Sequence, residues 1–261
     1  MSPPEAVYPR SYTYRIAASL SAAALVSLLF YFHHRLPPGA FWGVLSGTIL
    51  FLGLFWKIES GRMLQIHAEG IVLRHGSVSR VLPWESVREV RYRAFLSRGG
   101  GVLGLLLQQV LGRLSRRLGG VDERAVSIHC VLRADGERPL VITSGWSRAG
   151  SAVEKILEQV NPRLVAAALD QVRKVGRAEF GPVIVQHDSI IRGGRTVRFA
   201  EIASCGMESG RFFVRKQGAW RAVIQLPVGK IPNVFALVEL LHHLGVPGLR
   251  RGDLAAATAG A

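Results

Sequence analysis

The sequence contains little cysteine and few acidic residues, and each shortage excludes a class of protein. Cys130 and Cys205 are the only cysteines and form no CxxC pair, which excludes a disulfide-stapled scaffold and a cysteine zinc site. The 18 acidic residues stand against 33 basic ones, so the formal charge is +15. Only five of the basic residues are lysine. Because a GC-rich genome also enriches arginine, the positive charge is weak evidence for nucleic-acid binding.

Motifs of nucleotide-dependent and metal-dependent enzymes are missing as well. The chain has no GxxxxGK[ST] phosphate loop and no HExxH zinc motif. Its histidines include two adjacent pairs, whose members point to different sides of a helix, and three residues on or beside predicted strands. These histidines are His33, His34, His242, His243, His67, His129 and His187. We therefore expect no catalytic residue, no cofactor and no metal ion.

Long apolar runs are present near the N-terminus. Residues 16–32 and 40–56 are each 17 residues without a charge, and the link between them contains Pro37 and Pro38. Each run would span roughly 26 Å as a helix, close to the thickness of a bilayer core. We predict a transmembrane helical hairpin over 16–56, preceded by a disordered tail over 1–15. The flanking arginines and Lys57 place both termini in the cytoplasm. The two alternatives are a cleaved signal peptide, which the second apolar run disfavours, and a hairpin buried in a soluble core.

From residue 62 the pattern changes to short runs of alternating apolar and polar residues, separated by glycine-containing turns. This pattern occurs twice along the chain. Residues 62–160 and 177–245 each read as about six antiparallel strands followed by an amphipathic helix, with Phe199 standing where Trp84 stands. A linker helix over 161–176 joins the two halves, and 246–261 is predicted to be a disordered tail. The predicted fold class is α+β: a membrane anchor followed by two small curved sheets or barrels, each closed by a helix.

Two motifs carry a resemblance to a known family. The run LPVGKIPNVFAL at 226–237, together with Phe180–Pro182, resembles the ending of an uncharacterised bacterial family with a two-helix transmembrane anchor and tandem PH-like domains. The resemblance covers roughly residues 40–245. It implies PH-like modules attached to the bacterial inner membrane. It implies no activity and no catalytic residues.

A glycine-bounded insertion over about 99–120 interrupts the first module. Its leucines recur at helical spacing, and three arginines follow toward its C-terminal end. The predicted contact residues are Leu103, Leu106, Leu107, Val110, Leu111, Leu114, Arg113, Arg116 and Arg117. Such a segment lies on an anionic membrane surface, packs on its own domain, or forms a seam with a partner or a second copy.

These patterns predict a non-enzymatic, membrane-anchored binding or scaffold protein. It would present two PH-like modules at the cytoplasmic membrane face to lipid headgroups, an unknown protein partner or a second copy. The alternative is a membrane-tethered basic module that binds nucleic acid or another polyanion. The sequence disfavours that alternative because aromatic and basic residues are not interleaved. Arg88, Arg91 and Arg93 are expected to line a solvated sheet face, with a polyanion site as the second interpretation.

Overall fold

The structure is a computed structural model that describes residues 2–10, 19, 22–24, 26–27, 30–31, 37–96, 126–144 and 146–250. The chain folds into two compact units. The described part of the first unit runs to Val81 and includes 146–148. The second unit begins at Leu82 and contains the remaining described residues.

The described part of the first unit contains an antiparallel sheet and a long helix. Its elements are β1 (Ala6–Pro9), helix α1 (Pro38–Ser60), β2 (Arg62–His67), β3 (Gly70–His75) and β4 (Val78–Pro83), whose last two residues belong to the second unit, and the sheet order is β1-β2-β3-β4. Alternate residues Leu64 and Ile66 are fully buried, as the period of a half-buried strand requires. The N-terminal strand is fixed by its register, in which Tyr8 lies opposite Leu64, and by the Arg10 guanidinium, 4.6 Å from the Trp146 ring centroid.

The described part of the second unit contains three sheets and two helices. In chain order its elements are β5 (Val87–Leu96), β6 (Val126–Ala134), β7 (Leu140–Thr143), α2 (Ala149–Val175), β8 (Arg177–Phe180), β9 (Val183–Gln186), β10 (Ser189–Arg192), β11 (Arg195–Arg198), β12 (Ile202–Glu208), β13 (Arg211–Lys216), β14 (Ile224–Pro227), α3 (Val234–His243) and β15 (Leu249–Arg250). The sheet orders are β5-β6-β7, β11-β10-β9-β8 and β14-β13-β12-β15. The pairing of β12 with β15 is parallel, and the neighbouring pairing of β12 with β13 is antiparallel.

The order of the elements repeats along the chain. Four strands, a 3-10 turn, three strands and a helix occur first from β1 to α2 and again from β8 to α3, with α1 inserted after β1. The two 3-10 turns are Trp84–Ser86 and Phe199–Glu201, and they begin at the two residues that the sequence pattern makes equivalent. In the described residues each copy has seven strands rather than about six. The extra strand of the first copy, β1, comes from the segment that the sequence predicts to be a disordered tail.

The predicted transmembrane hairpin is wrong. The second apolar run forms α1, but among the described residues no helix is both long and apolar enough to span a bilayer. Each uncharged run has 17 residues, the lower limit of the length that a bilayer span requires, so apolar composition alone separates a span poorly from another kind of apolar helix. The predicted inner-membrane localisation with two spans and cytoplasmic termini depended on that hairpin, and the same finding contradicts it.

The predicted fold class is corrected in a second respect. The described chain is mostly sheet, and its strands lie in four separate sheets rather than in one closed sheet per module. The predicted linker helix is also not a separate element, because α2 runs without interruption from Ala149 to Val175 with Pro162 inside it. Proline removes one intrahelical hydrogen bond. Burial of Val160 and Val165 on either side of Pro162 holds the helix together. The module bounds themselves stay a prediction.

Candidate functional site

Helices α2 and α3 of the second unit pack against one another along one side. The apolar stripe of α2 is fully buried at Val153 and Ile156, with Leu157 also buried. In α3 the buried residues follow one another almost without a break, including Leu237 and Leu240. A ten-residue helix needs only one apolar face to pack. The additional apolar residue Phe235 is therefore left half-buried at the edge of the helix pair.

The edge of this helix pair is an open groove. It consists of two adjoining cavities of about 300 and 320 Å³, which share Asn161 and Pro162. The first is lined by Glu154, Leu157, Glu158, Asn161, Pro162 and Phe235. The second is lined by Asn161, Pro162, Val165, Ala166, Leu169, Glu239 and His243. We call these residues the α2–α3 groove. The lining from position 154 to 169 of α2 covers about 22 Å of helix.

The α2–α3 groove is acidic at its rim although the chain as a whole is strongly basic. Glu154 and Glu158 are exposed on α2, and in the described part of the chain neither makes an ion pair. Glu239 lies across the groove on α3, with one carboxylate oxygen 3.9 Å from Nε2 of His243. The nearby guanidinium of Arg163 donates instead to the carbonyl oxygen of Glu85 at 3.2 Å. The groove therefore presents carboxylates beside apolar surface.

A buried tyrosine supports the groove from beneath. The ring of Tyr92, on β5, lies 5.5 Å from the ring of Phe235 at an interplanar angle of 60°, a favourable edge-to-face contact. Tyr92 is 2% exposed, and its hydroxyl has no hydrogen-bond partner among the described residues. Burial raises the pKa of Tyr92 to about 12, and the neighbouring Cys130 and Glu154 act in the same direction. The hydroxyl is therefore neutral at any physiological pH.

We expect Tyr92→Phe to stabilise the protein by about 1 kcal/mol. A buried hydroxyl without a partner costs about 1–3 kcal/mol of desolvation, and phenylalanine keeps the ring contact with Phe235 while removing that cost. Urea denaturation monitored by circular dichroism at pH 7 measures the difference. A loss of more than about 1 kcal/mol would show instead that the hydroxyl is satisfied in solution.

The start of α3 is fixed by a contact with a distant strand. Asn233 precedes the helix in a left-handed conformation (φ +52°) and does not cap it with its side chain. Its Oδ1 accepts a hydrogen bond from the Val90 amide at 2.6 Å, and its Nδ2 donates to the Arg88 carbonyl at 3.0 Å. The Asn233 amide also donates to the Val90 carbonyl at 2.8 Å. These bonds satisfy the edge of β5 that lies opposite β6, where no described strand pairs with it.

The two motifs that carried the family resemblance meet in this region. A Cβ added to Gly181, which has φ +61°, would lie 2.8 Å from Cδ of Pro232, the residue before Asn233. A Cβ added to Gly229 would overlap the side chain of Arg93 on β5. A side chain at position 181 would be strained and would have to displace the proline ring, and a side chain at position 229 would have to displace the arginine side chain. The residues of these motifs position α3, and with it one wall of the α2–α3 groove.

The arginines singled out in the sequence are largely occupied by carboxylates. Arg88 Nε lies 2.6 Å from Asp135 Oδ2, and both side chains are exposed. Arg91 pairs with Glu89, whose other oxygen is 3.5 Å from Arg133. A register shift between Val87 and Glu89 accompanies this arrangement. These contacts fit the predicted solvated sheet face, and they reduce the positive charge that a polyanion would meet.

The other predicted positions lie elsewhere. All nine predicted contact residues of the insertion lie outside the described residues; they are Leu103, Leu106, Leu107, Val110, Leu111, Leu114, Arg113, Arg116 and Arg117. In the part of the chain that is described, no three histidine, cysteine or acidic side chains cluster as metal ligands do. Cys130 and Cys205 are both buried thiols.

Sequence reasoning missed the α2–α3 groove, although three signals were present. Glu154 and Glu158 recur one turn apart beside the apolar stripe of α2. Ala166 and Leu169 continue an apolar surface beyond that stripe. Phe235 adds more apolar surface than α3 can bury.

Comparison with known proteins assigns the chain to no family. No model of a protein family matches the chain, and no curated protein is significantly similar to it in sequence. The resemblance to bacterial PH-like proteins stays a prediction.

Proposed function

We propose that this chain is a non-enzymatic binding or scaffold protein that engages a protein partner at the α2–α3 groove. The observation that carries the proposal is the groove itself: two adjoining apolar cavities, together about 22 Å long on α2, framed by Glu154, Glu158 and Glu239. Elongated apolar surface with a polar rim is typical of protein-binding sites. A small-molecule site is usually more enclosed.

The repeated order of elements supports a scaffold role. α2 ends the first copy of the repeat and α3 ends the second. The bonds of Asn233 to the edge of β5 tie the start of α3 to an element of the first copy. The start of the α3 wall is thereby fixed by hydrogen bonds to the backbone. A wall held in this way favours binding of a partner without rearrangement.

Site-specific photocrosslinking tests this proposal. A benzophenone amino acid replaces Ala166, which is exposed and lines the groove, and in a matched variant it replaces Gln171, which is exposed on α2 outside the lining. In cells that naturally produce the protein, we expect a discrete crosslinked product from position 166 and none from position 171. The same products from both positions, or none from either, would contradict the proposal.

A further inference from the structure

We propose that the partner segment bound by the α2–α3 groove is a basic amphipathic helix of another protein. This inference rests on the proposed function and adds the chemistry and the length of the ligand. Its first support is charge. The chain carries a formal charge of +15, yet among the described residues that line the groove there are three glutamates and no lysine or arginine. A local acidic site on a basic protein selects a ligand with positive charges beside apolar ones.

The second support is shape. The lining residues of α2 recur every three or four positions from 154 to 169, and those of α3 are Phe235, Glu239 and His243, each four residues apart. Rows at this spacing form the ridges between which another helix packs. The groove is about 22 Å long on α2, which accommodates a helix of about 15 residues. The ligand helix would place apolar anchors at spacings of three, four and seven over Leu157, Pro162 and Ala166.

The third support is the arrangement of charge around the apolar floor. Glu154 and Glu158 lie on one wall, and Glu239 lies on the other. A helix seated between them would meet carboxylates on both flanks. One carboxylate oxygen of Glu239 lies 3.9 Å from Nε2 of His243 on the same wall. A ligand carrying lysine or arginine on both sides of an apolar stripe satisfies this pattern, whereas an acidic helix meets repulsion.

Two synthetic helices test the chemistry directly. Both are fluorescein-labelled peptides of about 15 residues with leucine at helical spacing, and they differ only in lysine or glutamate at the flanking positions. Fluorescence anisotropy with the full chain measures their dissociation constants at low and physiological salt. We expect the lysine peptide to bind at least tenfold more tightly than the glutamate peptide, with a preference that weakens as salt rises.

Three variants locate the binding. Glu154→Lys/Glu158→Lys reverses the charge of one wall, and we expect it to weaken the lysine peptide about tenfold or more. Ala166→Trp fills the groove without changing charge, and we expect a loss of similar size. Asp170→Lys/Glu208→Lys makes the same change in net charge at exposed positions outside the groove, and we expect no change in affinity. Circular dichroism checks that each variant is folded.

Equal affinity for the two peptides, or equal weakening by the control variant, would overturn the basic-helix proposal. Light scattering compares the particle masses of wild type and Ala166→Trp. If neither peptide binds and the variant particle has the lower mass, the occupant is a second copy and the proposal also fails. A position-166 crosslink to a partner without any preference for the lysine peptide would leave the proposed function standing and refute only the ligand chemistry. The absence of both crosslink and peptide binding would refute both.

Discussion

Asn233→Ala should lower the free energy of unfolding by about 3 kcal/mol. Two separate costs contribute to this value. Alanine in the left-handed conformation that Asn233 adopts costs about 1 kcal/mol or more, whereas asparagine tolerates it. The substitution also leaves the Val90 amide and the Arg88 carbonyl without the side chain that satisfies them. An unpaired, partly buried backbone group costs about 1–3 kcal/mol.

Two further substitutions separate these costs. Asn233→Gly removes the same side-chain bonds but adopts φ +52° freely, so we expect it to be less destabilising than alanine by about 1 kcal/mol.

Asn233→Asp keeps an oxygen for the Val90 amide but places a second oxygen against the Arg88 carbonyl. A protonated carboxyl would donate to that carbonyl, so the pKa of the new aspartate should be raised on folding. The stability of the Asn233→Asp variant relative to wild type should then be greatest below about pH 4 and should fall as pH rises.

Urea denaturation of the full chain, followed by circular dichroism, measures these differences. Gln159→Ala is the control, since Gln159 is exposed on α2 and surface substitutions usually change stability by less than about 0.5 kcal/mol. The expected order of stability at pH 7 is wild type, then glycine, then alanine. If alanine and glycine both unfold within about 0.5 kcal/mol of wild type, Asn233 does not hold α3 to β5. The wall of the α2–α3 groove would then need another support.

The Asn233 contact illustrates how far the sequence predicts this structure. The motif around Asn233 is recognisable from its residues alone, and local signals predict its helix from Pro232 onward. Its partners Arg88 and Val90 are separated from it in sequence by 145 and 143 residues, and no local pattern connects the two segments. A side chain that bonds the edge of a remote strand leaves no periodic signal in either segment.

The strand β1 shows the same limit at the N-terminus. Ala6–Pro9 is four residues long and ends in proline, so its pattern is too short to predict a strand. It pairs with β2, more than fifty residues later along the chain. Strands β2 to β4, by contrast, are predictable because alternation and glycine turns are local features. Local periodicity thus predicts most strands, and long-range pairing determines those that it misses. These include β1 and also β15, which lies in the predicted C-terminal tail and pairs with β12.

The error over the apolar runs has a different origin. Hydropathy reports how apolar a segment is, and both runs lie at the margin of the length that a membrane span requires.

The candidate site was missed for a third reason. A groove is a property of two packed helices, and the residues that line α2 and α3 are separated by more than sixty positions. Each helix is predictable, but the surface left between them depends on how they pack.

Alkaline pH should destabilise this protein more strongly than its surface charges suggest, chiefly through two thiols. Burial raises the pKa of Cys130 from 9.0 to about 12, and it raises the pKa of Cys205 to about 12 as well. In the unfolded chain the thiols ionise from about pH 9, while in the folded protein they stay protonated. The unfolded state therefore binds fewer protons, and stability falls as pH rises through the window from 9 to 12.

The size of the effect follows from the shift. For Cys130 alone, the free energy of unfolding should fall by about 4 kcal/mol over the whole window, and about 2 kcal/mol of that should be lost by about pH 10.5. The thiol of Cys130 is fully buried on β6, where water solvates a thiolate poorly, so the charged form is strongly disfavoured in the folded protein. Tyr92 lies opposite Cys130 across the β5–β6 pair. The raised pKa of Tyr92 adds a loss in the same direction above its ordinary value of 10.0.

Cys130→Ala tests this account because it removes the titrating group and keeps a small apolar side chain. We expect it to cost about 1 kcal/mol at pH 7 through the cavity that it leaves, and to lose less stability than wild type between about pH 9 and 10.5. The two unfolding free energies should therefore converge and then cross as pH rises. Denaturation in urea with a reducing agent, at steps from pH 7 to about 10.5, measures both curves.

Cys205→Ala should show the same trend at its own site, because burial raises the pKa of that thiol by the same mechanism. The double variant should be nearly flat up to about pH 10, where the Tyr92 hydroxyl of the unfolded chain begins to ionise. If the double variant falls as steeply as wild type, the alkaline loss arises from other groups, and the buried thiols are not its cause.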